Sequence, residues 1–160
     1  MITEYQLYDL IIKGRIESYV KKSSSYNPYV SSDVYDWNFE FQQNQYMFTD
    51  SYRGFNPYSG VEYIYVKGQP VPIWSCDYVG HVMENSSVAE KEIYGFQKKA
   101  RGKHLSTCGG NLCSNYSYKD GDFCYHTTFC GNLKALLQIE EIYFCDILVG
   151  RQVSAGYLKD

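Results

Sequence analysis

Apolar and polar residues alternate with a period of two through much of the first half of the chain. Aromatic side chains occupy every second position toward the end of the segment over 33–41, and such alternation indicates a half-buried strand. The alternation continues over 46–53, and further strand-like segments follow over 61–67 and 71–80, separated by Gly and Pro turn residues. The stretch from 46 to 80 therefore predicts a three-stranded antiparallel meander.

Two helices are predicted from capping boxes, in which a Ser or Thr precedes a Glu or Gln by three positions. The first begins after Thr3 and extends over 4–20, with Gly14 as a close packing contact or a kink. The second begins after Ser87 and extends over 88–101, because Gly102 is placed to end it.

A fainter copy of the first meander follows in the second half of the chain. Phe48 and Tyr125 lie 77 positions apart, as do Gly54 and Gly131, and a Glu-containing strand recurs at a separation of 78. The order of capping box, helix and strands is the same in both halves. This pattern favours an internal duplication whose copies share one core.

The fold class predicted from these elements is α+β. Two helix-plus-antiparallel-meander halves, roughly residues 1–84 and 85–160, form a pseudo-repeat within a single domain. Their strands form either one curved sheet or two packed sheets, with the helices on one face.

Composition and charge exclude several classes of partner. The chain has 160 residues, 18 of them Tyr, and a net charge of −3. Its densest basic run, over 98–103, is typical of a solvated helix end, so no nucleic-acid partner is expected. No apolar run approaches the ~18 residues of a membrane helix, and the N-terminus lacks the features of a signal peptide. We therefore expect a cytoplasmic protein, without membrane association, whose cysteines are mostly reduced.

The first meander resembles a bacterial domain family of unknown function, which occurs alone and behind the helix-turn-helix of XRE-type transcriptional regulators. The likeness is carried by Phe48-Thr49-Asp50-Ser51-Tyr52-Arg53-Gly54, Tyr58-Ser59-Gly60-Val61-Glu62, Gly68-Gln69-Pro70-Val71 and Ile73-Trp74-Ser75-Cys76-Asp77-Tyr78-Val79-Gly80. The order of elements agrees over about 5–158, although Pro72 and Ile73 are inserted before Trp74 and Cys76-Asp77 replaces Met-Asn. The resemblance implies the fold and the compartment but no activity. A single helix before the first strand leaves no room for a DNA-binding module.

Asp50 and Glu62, on neighbouring predicted strands, are candidates for acid–base chemistry. Two carboxylates within reach of each other raise one pKa by mutual repulsion, which suits a small hydrolase or transferase. The structural alternative is that Glu62 pairs with Arg53, while Asp50 and Asp77 bind backbone amides at turns or strand ends.

The same region also suits the binding of a small, nucleotide-like or other aromatic molecule. Its aromatic residues can stack on a planar ring, Arg53 can hold an anionic group, and Asp50 can accept protons from hydroxyl or amide groups. The predicted ligand-binding residues are Asp50, Tyr52, Arg53, Glu62, Tyr65, Trp74, Asp77 and Tyr78.

The cysteines and histidines do not form a recognised metal motif. The spacing of His104, Cys108 and Cys113 misses the Cys-x2-Cys pattern of zinc sites. Cys124 and Cys130 share with His126 a strand parity that is expected to face the core. We therefore expect neither a metal nor a cofactor.

The function favoured by the sequence is a non-enzymatic small-molecule-binding or sequestering protein with an aromatic-lined pocket. It would act as a standalone sensor domain, or as a protein that sequesters a signal molecule, as some phage-encoded proteins do. Two alternatives remain open: a small hydrolase or transferase using Asp50 and Glu62, and a protein-interaction module with exposed Tyr anchors. Edge strands of such meanders favour pairing between copies, so a homodimer is expected.

Overall fold

The computed structural model describes residues 2–20, 29–84 and 86–159. Within these ranges the chain forms two α-helices, a short π-helical segment and eight β-strands. In chain order these are α1 (Glu4–Arg15), the π-helical segment (Ile16–Val20), β1 (Trp37–Gln43), β2 (Tyr46–Gly54), β3 (Tyr58–Val66), β4 (Trp74–Val82), α2 (Glu90–Thr107), β5 (Tyr116–Asp120), β6 (Phe123–Asn132), β7 (Ala135–Phe144) and β8 (Ile147–Leu158).

All eight strands belong to one antiparallel sheet, in the order β1-β2-β3-β4-β8-β7-β6-β5. Each half of the chain contributes four neighbouring strands, and the two sets join where β4 pairs with β8. The described chain is therefore an α+β arrangement dominated by its sheet. Of the two sheet arrangements that the sequence left open, the strands adopt the single sheet.

The capping box predicted at the start of α1 is confirmed. The Thr3 hydroxyl accepts a hydrogen bond from the Gln6 amide, and the Gln6 side chain accepts one from the Thr3 amide. Apolar residues at helical spacing then point α1 into a core shared with the first four strands. Buried members of that core include Leu7, Leu10, Ile11, Phe48, Ile64 and Trp74.

The helix predicted over 4–20 changes its character after Arg15. From Ile16 to Val20 the backbone is π-helical, so the first helix is α-helical over only part of the predicted range. Gly14 marks a close packing contact rather than a kink, because a Cβ at this position would overlap the ring of Phe48. Close packing of α1 on β2 places Arg15 against the covered face of the sheet, where its side chain is buried.

The second predicted capping box is wrong. α2 begins at Glu90 with Ala89 as its N-cap, and no side chain caps it. Ser87 is displaced from the capping position because the chain turns earlier, where the Ser86 hydroxyl bonds the backbone of Val88. The local turn uses the Ser86 hydroxyl, and α2 begins without a side-chain cap.

The C-terminal end of α2 was also predicted too early. The helix continues beyond Gly102 to Thr107. Gly102 is instead a packing position, since a Cβ there would lie 2.8 Å from a methyl group of Val20. This contact joins α2 to the π-helical segment. Neither helix in the described part of the chain is both long and apolar enough to span a membrane.

A second core cluster lies between α2 and the strands β4, β6, β7 and β8. Ile93, Phe96 and Ala100 of the helix are buried together with apolar residues of the sheet, and their spacing of three and four places them on one face of α2. The sheet members of this cluster are Val82, Tyr125, Ile142 and Val149.

Candidate functional site

A cavity of about 740 Å³ lies between the sheet and the helices. Residues from both helices, the π-helical segment and six of the eight strands line it. Its polar side chains are mostly buried, whereas several of its aromatic side chains are exposed at the surface. Small-molecule sites in proteins occupy roughly 300–1,000 Å³, so the cavity is large enough to hold a metabolite.

The register of the sheet brings the buried polar residues of the cavity together. Asp50 of β2 lies opposite Glu62 of β3. In the other half, Glu140 of β7 lies opposite Gln152 of β8, and Gln138 lies opposite Ser154. Because directly paired residues point to the same face of a sheet, polar groups from both halves converge on one cavity.

Each helix contributes one arginine that is held by a glutamate of the sheet. Arg15 of α1 contacts both carboxylate oxygens of Glu62, with Nε 2.8 Å from Oε1 and Nη2 2.6 Å from Oε2. Arg101 of α2 contacts Glu140 in the same bidentate geometry, with Nε 2.9 Å from Oε1. The two guanidinium groups are therefore engaged within the protein.

The carboxylate of Glu140 has more than one partner. The Tyr125 hydroxyl donates a hydrogen bond to it, and Arg101 also bonds the Gln152 side-chain oxygen at 2.6 Å. Burial opposes the ionisation of Glu140, but the charge and hydrogen bonds of Arg101 outweigh burial and hold the pKa below its usual value. Glu140 is therefore a stable anion inside the protein.

Asp50 is the buried carboxyl group of the cavity that no cation neutralises within the described residues. It is 2% exposed, and its one side-chain hydrogen bond there comes from the Tyr78 hydroxyl, 2.6 Å from Oδ1. Burial, followed by the negative charge of Glu62, raises the pKa of Asp50 to about 7. Near neutral pH this group therefore exchanges a proton readily and accepts hydrogen bonds when ionised.

Two glycines give the cavity tyrosines room to lie across neighbouring strands. A Cβ at Gly60 would lie 2.5 Å from the Tyr78 hydroxyl oxygen, so only a glycine lets Tyr78 extend from β4 toward Asp50. Gly80 similarly lies under the ring of Tyr58, whose hydroxyl reaches Gln152 at 2.7 Å. Both tyrosine rings are thereby laid along the cavity wall.

Aromatic rings surround the exposed part of the cavity in two groups. In the first, Tyr52 stacks with Trp37 at a centroid distance of 6.2 Å and with Phe39 at 6.3 Å. In the second, Tyr94 meets Phe55 edge-on at 4.9 Å. Trp37 and Phe55 are 49% and 61% exposed, so apolar ring surface is presented to solvent at this cavity.

The structure brings four of the eight predicted ligand-binding residues to this cavity: Asp50, Tyr52, Glu62 and Tyr78. Trp74 is a core residue instead, 1% exposed, whose indole N–H donates to the Leu133 carbonyl. Tyr65 packs edge-on against Tyr63 and does not line the cavity.

Arg53 and Asp77 lie on the opposite face of the sheet, where they line a shallow groove. Arg53 lies one residue beyond Tyr52 along β2, and successive side chains of a strand alternate between faces. The expected pairing of Glu62 with Arg53 is therefore wrong, since Arg15 takes that place. Arg53 instead lies over the ring of Tyr35, 5.5 Å from its centroid.

Several cavity residues were not identified from the sequence. Arg101 belongs to the basic run that was interpreted as a solvated helix end, but its side chain is only 16% exposed. A signal for it existed, because Arg101 follows the buried Gln97 by four positions and so shares its face of the helix. Arg15 has the same signal, since it follows the buried Ile11 by four positions, whereas the role of Trp37 depends on how distant elements pack.

The prediction that Cys124, Cys130 and His126 face the core is wrong. His126 and Cys130 are exposed and Cys124 is half-buried, on the face of the sheet opposite the cavity. His126 contacts Ser117 Oγ through Nδ1 at 2.8 Å and Cys124 Sγ through Nε2 at 3.3 Å. In the described ranges no group of three His, Cys, Asp or Glu side chains is placed to hold a metal ion.

A family model described as a domain of unknown function, DUF5680, matches residues 50–158. The chain belongs to the DUF5680 family. The DUF5680 match begins at Asp50 and includes Glu62, Arg101 and Glu140, whereas α1 with Arg15 precedes it. No curated protein and no solved structure matches the chain.

Proposed function

We propose that the protein binds a small ring-containing molecule in the cavity and releases it unchanged. The observation that carries this proposal is the presence, in one cavity, of exposed aromatic rings and a buried carboxyl group, Asp50, that no described cation neutralises. Ligand sites combine apolar and aromatic walls with a few placed polar groups. The cavity supplies both.

The arrangement of Glu62 favours binding over catalysis. Both of its carboxylate oxygens are engaged by Arg15, so neither oxygen is open to a ligand. An acid–base pair needs two groups that each contact the substrate and exchange a proton with it. Among the buried carboxyl groups of the cavity, only Asp50 lacks an ion pair with a described residue.

A second candidate function is supported by Asp50 itself. A carboxyl group whose pKa is raised to about 7 is matched to proton transfer at neutral pH. In this alternative Asp50 acts as the general acid or base of a small hydrolase or transferase, and Glu62 raises its pKa through charge repulsion.

Mass spectrometry of small molecules released by heating the purified protein separates the two functions. Binding predicts that one molecule is recovered intact after prolonged incubation, in a molar amount close to that of the protein. Catalysis predicts that the same molecule, added back to fresh protein, is converted. Recovery of no molecule from protein purified from its native host would count against both.

Matched variants locate the site. Asp50→Asn and Trp37→Ala are expected to reduce the amount of copurified molecule. Their controls are Asp77→Asn and Tyr157→Ala, which alter exposed groups away from the cavity. Equal recovery from all four variants would exclude this cavity as the site.

The wider setting that we propose is a cytoplasmic sensing or sequestering protein for a nucleotide-like or other aromatic signal, related to the sensing domains of XRE-type regulators. We further propose that its halves arose by duplication. Each half has a helix, four strands and one Arg–Glu pair linking them, and Gly54 and Gly131 both have positive φ, 77° and 86°. The homodimer remains a prediction, which light scattering of the purified protein tests.

A further inference from the structure

The polar groups of the cavity differ in how far they are already engaged. The guanidinium groups of Arg15 and Arg101 are each held by three hydrogen bonds to a carboxylate. Among the described residues, only the Tyr78 hydroxyl donates a side-chain hydrogen bond to Asp50, on Oδ1. A ligand that reaches the buried part of the cavity therefore finds a hydrogen-bond acceptor more readily than an uncommitted cation.

A second unengaged group belongs to the π-helical segment. Ser18 lines the cavity at 8% exposure, and its buried hydroxyl has no hydrogen-bond partner among the residues that the structure describes. A buried polar atom left unpaired costs free energy, so its retention is explained when a ligand supplies the missing bond. Single π-helical turns recur at functional sites, which agrees with a role for this segment in binding.

We infer that the cavity selects a planar ring carrying two adjacent N–H donors in its plane, cationic or uncharged, which bind the Asp50 carboxylate while Ser18 bonds a further polar group. This inference rests on the proposed function and names its ligand class. A carboxylate accepts two parallel N–H bonds from such an edge, as it does from a guanidinium group. Oδ2 and the second lone pair of Oδ1 are free of described side-chain partners.

The charges that line the cavity oppose an anionic ligand. The three cations and three of the four carboxyl groups cancel, and Asp50 adds negative charge once ionised. An anion that bound Arg15 or Arg101 would have to displace the paired glutamate, which exposes a buried charge. The charged residues concerned are Arg15, Lys98, Arg101, Glu17, Glu62, Glu140 and Asp50.

The inference also predicts how binding depends on pH. The titratable and charged groups that act on Asp50 are Glu62 from β3, Tyr78 from β4, Arg15 from α1 and Arg101 from α2. Burial and Glu62 raise the pKa of Asp50 to about 7, so its ionised fraction grows between pH 6 and pH 8. A cationic ligand should therefore bind more tightly as the pH rises through this range.

Benzamidine and benzoate are suitable probes, because they have nearly the same shape but opposite charge and hydrogen-bonding character. We expect ligand-detected NMR titrations to show benzamidine binding about tenfold or more tightly than benzoate at pH 8. Its affinity should fall severalfold at pH 6, although benzamidine itself stays cationic. Asp50→Asn should weaken benzamidine about tenfold, whereas Asp77→Asn, an exposed carboxylate on the other face, should leave it unchanged.

Several results would overturn the inference. These are an absence of benzamidine binding, tighter binding of benzoate, or benzamidine affinity that is independent of both pH and Asp50→Asn. The wild-type pH dependence keeps the test decisive even where Asp50→Asn does not fold. The proposed function is judged separately, because a copurified molecule of another class would support it while overturning the donor-edge inference.

Discussion

The hydroxyl of Tyr78 crosses β3 above Gly60 and donates a 2.6 Å hydrogen bond to the buried carboxyl group of Asp50 on β2. This bond spans three strands of the first half, since the two residues belong to β4 and β2. It couples the protonation of Asp50 to the packing of the cavity wall. Stability, pH response and ligand binding should therefore change together when either residue is altered.

Asp50 should make the protein less stable at alkaline than at acidic pH. Its pKa is raised to about 7 in the folded state from 3.8, so the folded state holds the proton more tightly. The free energy of unfolding therefore falls as pH rises from about 4 to about 7, by an amount on the order of a few kcal/mol. Urea unfolding at pH 5 and pH 8 measures this decrease in the free energy of unfolding.

Asp50→Asn should flatten that pH dependence relative to the wild type, since an amide does not titrate. Asp77→Asn, on the opposite face, serves as the matched control and should retain the wild-type slope. Parallel curves for the wild type and Asp50→Asn would show that Asp50 titrates normally in the folded protein.

Tyr78→Phe should destabilise the protein by about 1 kcal/mol, because a buried carboxyl group loses its hydrogen-bond donor. The loss should be greater at pH 8, where Asp50 is ionised, than at pH 5. Tyr157→Phe changes an exposed hydroxyl and should have no measurable effect. A loss for Tyr78→Phe that is the same at both pH values would contradict a direct bond to Asp50.

Gly60→Ala should destabilise the protein by about 1–3 kcal/mol through overpacking. The added methyl group would lie 2.5 Å from the Ser51 carbonyl oxygen and from the Tyr78 hydroxyl. Gly95→Ala is the matched control in α2, where no atom lies within 4 Å of the new Cβ. It should stabilise the protein by about 0.5–1 kcal/mol, and thermal unfolding distinguishes the two signs.

Glu140→Gln should cost about 3–5 kcal/mol, because it leaves the largely buried Arg101 without its counter-charge. Its neighbour Glu141 pairs with Arg151 on the other face, where the two side chains are 27% and 41% exposed. Glu141→Gln should therefore cost only about 0–1 kcal/mol. Denaturant titration of both variants compares two adjacent glutamates in one strand, and equal losses would refute a special role for the inner pair.

Local alternation in the sequence was sufficient to assign the faces of β2. The alternation over 46–53 places Asp50 and Tyr52 on one face, and both line the cavity, because the two-residue period is a property of the strand itself. Arg53 was nevertheless grouped with them by proximity along the chain. The structure separates it, since adjacent positions of one strand point in opposite directions.

Contacts between elements that are distant in the chain could not be predicted from the sequence. The partner of Glu62 depends on where the end of α1 lies above the sheet, and no local pattern encodes that position. The prediction of where α2 starts was wrong for a different reason. Ser86 and Ser87 both offer a hydroxyl, and the local turn uses Ser86. Trp74 was assigned to the site as an aromatic residue of the motif, although Ile64, its register partner, is a core residue.

The family match starts at Asp50, whereas Arg15, Ser18 and Trp37 lie in earlier elements of the same cavity wall. The cavity is thus assembled from a portion that the family description covers and a portion that precedes it. Relatives that retain the first portion can replace cavity-lining side chains of the second, such as the half-exposed Trp37, while β1 keeps its place in the sheet. Divergence of ligand preference within the family should accordingly be sought upstream of the matched region, where a few substitutions would alter what is recognised while the scaffold persists.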